Sequence, residues 1–418
     1  MNGTFIAGLD IGATAVRAAV GRVTGGAVEI VGAGSASPAG TRKGVIADMA
    51  VAADAIARAV AQAGDASGVE IKAVYAGISG CHVAARRCSG ATGIKGRAVT
   101  EKDVERSLAR ASDSYVPLER DVLHVLPLGY AIDGQNGIER PVGMSGSTLE
   151  ARVLVVTAPH AATENLARCC EKAGVELIAP VFEPVALAKA AAEPGSSLAV
   201  VDMGGDITSV TVLRGETITW AAVVPVGGSH LTNDICIGLR LTRKEAENLK
   251  TRHADASPAP EGAEAVSLTT MHGVRRIEAR HLHEIVLPRC QETLELAAQA
   301  IAEDIAARGP VSAVVLTGGG SLLRSVEKAA EAVFGVPAAR PRPVKGVTQS
   351  VPGPAARFAT CVGLVLHGFE KEREASGALE GGLGRLASLA GGLFDLRNIG
   401  AGFRKILGAD APGSESRT

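Results

Sequence analysis

The sequence predicts a two-domain α/β protein built from two similar halves. Residues 8–14 read Gly-Leu-Asp-Ile-Gly-Ala-Thr, and residues 201–208 read Val-Asp-Met-Gly-Gly-Asp-Ile-Thr. In both segments an apolar run ends in an aspartate, and a glycine turn leads into a second β-branched run. A third glycine loop follows at residues 316–321. Because the backbone amides of such turns can hold phosphate, the pattern indicates one nucleotide between two halves, with the third loop closing on its adenosine.

Composition and charge narrow the class of protein further. With 418 residues, the chain is long enough for two domains that each bury a core. Its 43 basic and 44 acidic residues give no electrostatic argument for a nucleic-acid partner. Seven cysteines without a C-x-x-C pair predict neither a disulfide framework nor a zinc site. With no signal-peptide pattern and no apolar stretch of about 18 residues, we expect a cytoplasmic protein without a membrane span.

The first domain is expected to combine residues 1–79 with residues 159–196. Strand patterns alternate there with a helical pattern at residues 48–63. Residues 80–158 interrupt this order with strands of their own and one charged helix at residues 100–111. That helix begins with a hydroxyl residue three positions before an acid, which is typical of a capping box. We therefore predict a small inserted α/β subdomain.

The second domain is expected to begin at residue 197. Its core is assigned to residues 197–243 and 310–369, and a smaller subdomain to residues 244–309. Within the smaller part, residues 277–307 show a helical pattern. Residues 370–383 are charged, contain glycine and offer little to bury, so we interpret them as a flexible linker.

The terminal segment, residues 384–408, has the pattern of a cationic amphipathic helix. Four interior glycines, Gly391, Gly392, Gly400 and Gly402, would each cost about 1 kcal/mol relative to alanine and make the helix marginal without a surface to fold on. We interpret it as an interfacial membrane anchor, and the alternative is an ordinary helix docked on the body. The candidate lipid-contacting residues are Leu393, Leu396, Arg397, Ile399, Phe403, Arg404, Lys405, Ile406 and Leu407.

The order of the three glycine loops resembles the actin, Hsp70 and sugar-kinase superfamily. With the inserted block and the terminal helix, the chain resembles the FtsA family, actin-like bacterial division proteins that tether FtsZ to the membrane. Further segments that resemble this family are residues 76–82, 130–138, 141–146, 226–235, 245–250 and 359–364.

The resemblance implies a site for ATP and Mg²⁺. The implied nucleotide-contacting residues are Asp10, Gly12, Thr14, Asp202, Gly204, Gly205, Thr208, Gly228, Glu247, Lys250, Gly318, Gly319 and Gly320. Of these, Asp10 and Asp202 would hold Mg²⁺ through water. The third-loop glycines would pack against the nucleoside, where any side chain would collide. Glu183 would order an attacking water, and Arg289 falls where the family binds the acidic C-terminal tail of FtsZ.

The chain departs from the family pattern in both phosphate loops. Ala13 stands where a threonine is usual, Ala15 where a lysine is frequent, and Ser209 where an aspartate is common. Asp206 occupies the place of a third glycine. A carboxylate aimed at the phosphates would oppose them by about 4 kcal/mol at roughly 4 Å, unless it turned toward Mg²⁺ or water. We therefore expect ATP to bind and hydrolysis to be slow or absent.

The function implied by the resemblance is an actin-like ATP-binding protein that polymerises at the cytoplasmic face of the inner membrane. There it would tether FtsZ at the division septum and recruit later division proteins through the inserted subdomain. The alternatives are a pilus-assembly adaptor of the same superfamily, a sugar or metabolite kinase, and a chaperone-like ATPase. The inserted block and the terminal helix favour the division protein.

Overall fold

A computed structural model gives the fold of most of the chain. It describes residues 4–114, 117–191, 195–262, 264–270, 273–341, 347–349, 351 and 354–380. The predicted lipid-contacting residues of the terminal segment lie outside the described residues. Within the part of the chain that is described, no helix is long and apolar enough to cross a membrane.

The first domain is built on a six-stranded sheet in the order β11-β6-β1-β2-β3-β19. Its strands are β1 (Thr4–Ile11), β2 (Val16–Thr24), β3 (Ala27–Ala36), β6 (Ala73–Ile78), β11 (Glu176–Phe182) and β19 (Val347–Gln349). The helices around it are α1 (Met49–Ser67), α3 (His160–Lys172), α4 (Glu183–Ala191) and α10 (Ala359–Glu380). A short hairpin, β4 (Thr41–Arg42) and β5 (Val45–Ile46), stands beside the sheet.

Alternation along β1 divides the first domain into two cores. Leu9 faces the cluster that includes residues of α1 and α3, and Ile6 faces the cluster that includes residues of α10. Helix α1 begins at Asp48, whose carboxylate accepts hydrogen bonds from the backbone amides of Ala50 and Val51. It ends at Gly68, which takes the left-handed conformation. The central sheet is thus covered on both faces.

The inserted block forms a separate four-stranded sheet in the order β7-β10-β8-β9. Its elements are β7 (Ala84–Gly93), α2 (Glu101–Asp113), β8 (Arg120–Ile132), β9 (Gln135–Ile138) and β10 (Thr148–Pro159). The Asp103 carboxylate accepts hydrogen bonds from the backbone amide and the hydroxyl of Thr100, at 2.9 and 2.6 Å. The predicted start of this helix is confirmed.

The second domain repeats the plan of the first with a five-stranded sheet in the order β14-β13-β12-β17-β18. Its strands are β12 (Ser197–Met203), β13 (Thr208–Arg214), β14 (Thr217–Val224), β17 (Ala313–Thr317) and β18 (Ala338–Ala339). The remaining elements are α5 (Gly228–Leu239), α6 (Arg243–His253), β15 (Val266–Thr270), β16 (Gly273–Ile277), α7 (Ala279–Ala300), α8 (Ala302–Arg308) and α9 (Val326–Phe334).

The small subdomain differs from its sequence-based boundaries. Helix α5, expected in the domain core, packs with α6 and the first half of α7, where Ile235, Leu249 and Val286 share one cluster. The second half of α7 belongs to the core of the larger sheet, through Leu294. The helix expected over residues 277–307 is interrupted at Ile301, between α7 and α8.

The linker assigned to residues 370–383 is wrong for most of its length, because α10 continues to Glu380. Most of residues 370–380 are good helix formers, a preference that outweighs the single glycine among them. Two ion pairs support the helix. Lys189 of α4 lies 2.6 Å from Glu370, and Lys371 lies 3.0 Å from Glu374 one turn later.

The inserted subdomain contacts the second domain through one buried carboxylate. Asp304 of α8 is fully buried, and Arg87 of β7 forms an ion pair with it. Arg214 and Arg308 lie 3.6 and 3.3 Å from the same carboxylate. The Arg87 guanidinium also lies over the Trp220 ring, 4.8 Å from its centroid. Several cations thus share one buried acid where two parts of the chain meet.

His124 of β8 joins the inserted subdomain to α10. It is buried, and its Nε2 accepts a hydrogen bond from the backbone amide of Phe182 at 2.9 Å. Its ring meets the His367 ring edge-on, with centroids 5.8 Å apart. Burial, together with the nearby Lys371 and Lys189, lowers the pKa of His124 to about 3. The folded protein therefore keeps this ring neutral.

We predict that acid destabilises the protein through His124. Its folded-state pKa lies below the unfolded value of 6.5, so the stability is present above pH 6.5 and is lost as the pH falls toward 3. His124 should contribute a loss of about 1.4 kcal/mol of unfolding free energy per pH unit below pH 6. In His124→Gln the amide oxygen can still accept the Phe182 hydrogen bond, and this contribution to the slope should disappear.

Urea unfolding at a series of pH values between 5 and 8 would measure that slope. The matched control is His281→Gln, because the His281 side chain is 59% exposed and the substitution should leave the slope unchanged. Equal slopes in His124→Gln and the unaltered protein would contradict the prediction.

Candidate nucleotide-binding site

A cavity of about 780 Å³ lies between the two domains. The predicted site residues that line it are Asp10, Gly12, Thr14, Glu183, Asp202, Gly204, Gly205, Gly228, Glu247, Lys250, Arg289, Gly318, Gly319 and Gly320. Thr208 is the predicted nucleotide-contacting residue that does not line it. Segments far apart in the sequence therefore surround one space of a size suited to a small-molecule ligand.

The two phosphate-loop candidates occupy equivalent places in the two sheets. In the first hairpin, Asp10 of β1 pairs with Arg17 of β2. In the second, Asp202 of β12 pairs with Ser209 of β13. The two turns approach each other closely, since a Cβ on Gly205 would lie 2.8 Å from Cγ2 of Thr14. The predicted pair of facing hairpins is thus present in the structure.

Three carboxyl groups converge at the base of the cavity. Asp10 and Glu183 are 8% and 9% exposed, and both line the cavity together with Asp202. Burial, with the neighbouring Asp10 carboxylate, raises the pKa of Asp202 to about 7. Burial and both aspartates raise the pKa of Glu183 well above its usual range. Like charges buried together favour protonation or a bound cation.

This donor set fits an ion held through water. Among the described residues, no group of three or more His, Cys, Asp or Glu side chains lies close enough to form a direct metal cage. Asp10 and Asp202 together offer hard oxygen atoms, which suit a Mg²⁺ ion that keeps several of its waters. A bound Mg²⁺ would also supply the positive charge that offsets phosphate oxygens.

Arg17 is a site residue that the sequence reading missed. It lines the cavity, its side chain is 15% exposed, and its Nη1 lies 3.6 Å from Oδ2 of Asp10. The guanidinium also lowers the pKa of Asp10, although burial raises it more. The sequence could have indicated this role. Side chains two positions apart in an extended segment lie on the same face, and Arg17 follows Ala15 by two positions. Arg17 thus brings a cation close to the place where a lysine was expected.

Thr208 was assigned to phosphate binding, and the structure contradicts that role. The residue is fully buried, and its hydroxyl donates a hydrogen bond to the Val226 carbonyl at 2.8 Å. Ile207 is the residue at this turn that lines the cavity. Alternation at the start of β13 explains the difference, because adjacent side chains point to opposite faces. The second loop therefore presents an apolar side chain where a hydroxyl was expected.

Glu247 and Lys250 lie on one face of α6 as predicted. Nζ of Lys250 donates to Oε2 of Glu247 at 2.7 Å and to the Thr232 hydroxyl at 2.8 Å. Thr232, which the sequence reading missed, donates to Glu247 at 2.6 Å. Burial alone would raise the pKa of Glu247, but these hydrogen bonds outweigh it and lower the pKa. The network holds a charged pair in place on the small-subdomain side of the cavity.

Two of the three glycines of the third loop have no room for a side chain within the protein itself. A Cβ on Gly318 would lie 2.5 Å from Oδ1 of Asp202, and one on Gly320 would lie 2.7 Å from the Met203 Cβ. The protein itself thus excludes side chains at both positions. A Cβ on Gly319 would meet nothing within 4 Å. Gly319 is therefore the position at which only a ligand could exclude a side chain.

Arg289 lies on α7 at the wall of the cavity, among acids. It forms ion pairs with Asp234 of α5 and with Glu292 one turn further along α7. Its side chain is 26% exposed. Two carboxylates therefore already balance the charge of Arg289.

Fold neighbours among solved structures place this architecture among actin-like proteins. The chain matches a protein of the PilM–PilN type IV pilus biogenesis complex with a TM-score of 0.64, at 20% identity over 87% of this chain and 98% of the other. It matches MreB5 of Spiroplasma citri bound to ADP with a TM-score of 0.51, at 15% identity over 90% and 99%. Fold and cavity together define a two-domain protein of the actin-like class.

Family models and sequence relatives are more specific. Residues 80–157 match the SHS2 domain inserted in FtsA, and residues 199–363 match the cell division protein FtsA. The chain is 34% identical to FtsA of Pseudomonas aeruginosa over 386 residues, 89% of this chain and 91% of the relative. It is 31% identical to FtsA of Escherichia coli over 392 residues, 90% and 93% of the two chains. The chain belongs to the FtsA family of cell division proteins.

Two alanine substitutions should separate folding from binding in the third loop. Gly318 has a φ of +80°, so Gly318→Ala should cost at least about 1–2 kcal/mol of unfolding free energy from backbone strain alone. Gly319→Ala should leave that free energy within about 0.5 kcal/mol and weaken binding of an ATP analogue. Urea unfolding and fluorescence titration with the analogue measure the two effects. Unchanged affinity in Gly319→Ala would show that no ligand contacts this position.

Proposed function

We propose that this FtsA-family protein binds ATP and forms filaments at the cytoplasmic face of the membrane, where it tethers FtsZ at the division septum. The observation that carries the proposal is the cavity between two actin-like domains. Two facing phosphate hairpins, a third glycine loop and a charged helix pair surround it. Family membership supplies the division context, and the MreB5 neighbour, solved with bound ADP, supports a nucleotide as the ligand.

Each wall of the cavity supports one part of a bound ATP. The backbone turns at residues 12–14 and 204–206 would hold the phosphates by their amides. Arg17 would add a charged contact to the phosphates, and Asp10 with Asp202 would position Mg²⁺ through water. Glu247 and Lys250 would contact the ribose and base, and Gly319 would lie against the nucleoside.

Hydrolysis is proposed to be slow, so that ATP acts mainly as a structural ligand. Glu183 lines the cavity as the candidate general base. Ile207 and Ala13 line the cavity with apolar side chains, at places near the proposed phosphates where hydroxyl-bearing side chains were expected. The loops thus keep the backbone contacts of binding and lose side-chain groups that would help to orient a water.

We predict that the purified full-length protein binds an ATP analogue with Mg²⁺ and releases phosphate no faster than a blank without protein. Glu183→Ala should then change binding by less than about threefold, since Glu183 contributes little to ground-state affinity. Phosphate-release assays and fluorescence titration measure both quantities. Rapid phosphate release that Glu183→Ala abolishes would overturn the proposal of a structural nucleotide.

The partners are proposed from the family. FtsZ would bind through its C-terminal tail on the small subdomain, later division proteins would contact the inserted subdomain, and a second copy would extend the filament. Arg289 remains a candidate contact for the tail only if an incoming carboxylate replaces Asp234 or Glu292 as its partner. The membrane contact is proposed for residues 384–408, whose basic and apolar sequence pattern suits a lipid surface.

We predict that liposomes carry fluorescent FtsZ in a flotation experiment only when the full-length protein is present. A truncation after Gly382 should leave both proteins at the bottom of the gradient, because the basic amphipathic segment is removed. The truncation keeps every described residue, so its folding can be checked by thermal unfolding. Flotation of the protein without FtsZ would contradict the tethering role, and no flotation at all would contradict the membrane anchor.

A further inference from the structure

Asp206 forms a hydrogen bond across the mouth of the cavity. Its Oδ2 accepts from the backbone amide of Lys43 at 3.1 Å. Asp206 lies in the second phosphate hairpin of the second domain, and Lys43 lies in the β4–β5 turn of the first domain. The carboxylate that would repel a nucleotide is thus engaged by the opposite wall.

The Lys43 side of this contact is fixed to the first domain. The Thr41 hydroxyl donates to the Gly12 carbonyl in the first phosphate loop at 2.9 Å. Gly44 has a φ of +78°, and a Cβ there would lie 2.1 Å from the Ser79 carbonyl oxygen. The β4–β5 hairpin therefore packs directly against the first phosphate loop and against Ser79 of the first domain.

The Asp206 side is fixed to the second domain in a similar way. The Gly204 amide donates to the Ile207 carbonyl at 3.0 Å, which closes the turn around Asp206. The Ser229 amide donates to the Gly205 carbonyl at 2.7 Å, which ties the turn to the start of α5. A hydrogen bond between two such anchored turns resists separation of the two domains.

We propose that Asp206 is a positioning residue that clasps the first domain onto the second and slows nucleotide release. The inference rests on the proposed nucleotide site. It gives Asp206, which stands in this chain where the family has a third glycine, a role in retaining the nucleotide. The Asp206 side chain acts through Lys43 without contacting the nucleotide. If the Asp206 carboxylate instead faced the phosphates, it would repel them and speed nucleotide release. Removing that charge would then slow release, whereas removing the clasp would speed it.

Two variants separate the clasp from repulsion. Asp206→Ala removes both the charge and the acceptor, whereas Asp206→Asn removes the charge and keeps an oxygen that can accept the Lys43 hydrogen bond. The clasp predicts that Asp206→Ala releases a fluorescent ATP analogue about tenfold faster, equivalent to about 1.4 kcal/mol, and that Asp206→Asn stays within about threefold of the unaltered protein. Repulsion predicts slower release from both variants.

The release rate would be measured by stopped-flow displacement of the Mg²⁺-bound analogue from full-length protein with excess ATP. Equal or slower release from Asp206→Ala would overturn the clasp. Equally fast release from both variants would also overturn it, because the retained acceptor would then have no effect.

A second measurement tests the contact without nucleotide. Hydrogen–deuterium exchange of a peptide covering residues 40–47 should be slower in the unaltered protein and in Asp206→Asn than in Asp206→Ala. If the unaltered protein does not bind the analogue, the proposed nucleotide function fails, and the exchange experiment still decides the clasp. Identical exchange in all three proteins would show that the Lys43 amide has no partner at Asp206.

Discussion

The buried convergence of three carboxyl groups is the constraint on which the rest of the site depends. Asp10 is the penultimate residue of β1 in one sheet, Asp202 is the penultimate residue of the equivalent strand β12 in the other, and Glu183 is the first residue of α4. Burial raises the pKa of all three groups, and repulsion from neighbouring carboxylates further raises the pKa of Glu183 and of Asp202. Such a cluster is tolerated only with protons or cations nearby, which accounts for Arg17 at one side and for the fit to a hydrated divalent ion. The glycine turns then bring backbone amides around the space where phosphates would share that ion.

The inserted subdomain contacts both the second domain and the last helix. Arg87 reaches the buried Asp304 of the second domain, and His124 packs against His367 of the last helix. The same α10 contains residues that contact the first sheet and ends at Glu380, directly before the segment proposed to bind lipid. The inserted subdomain, the second domain and the last helix are therefore physically connected.

Local sequence patterns gave correct predictions wherever the residues that determine a structural feature lie within one short segment. The paired hairpins follow from aspartate, glycine and β-branched residues in one order, and the start of α2 follows from Thr100 and Asp103. The errors arose where contacts with residues distant in the sequence determine the conformation or the partner of a side chain. Thr208 turns inward by strand alternation, the charged stretch after residue 369 stays helical beside Lys189, and Arg289 meets Asp234 from another helix.

The sequence by itself determined the class of fold, the order of the parts and the residue types at the candidate nucleotide site, because turn chemistry and hydrophobic periodicity are local. Only the tertiary structure decided which side chains face the cavity. In the structure, Arg17 lies beside Asp10, the Thr208 hydroxyl bonds to a backbone carbonyl away from the cavity, and the Asp206 carboxylate accepts a hydrogen bond from the Lys43 amide. These outcomes depend on contacts between residues far apart in the chain, up to 163 positions for Asp206 and Lys43. No local pattern specifies such contacts.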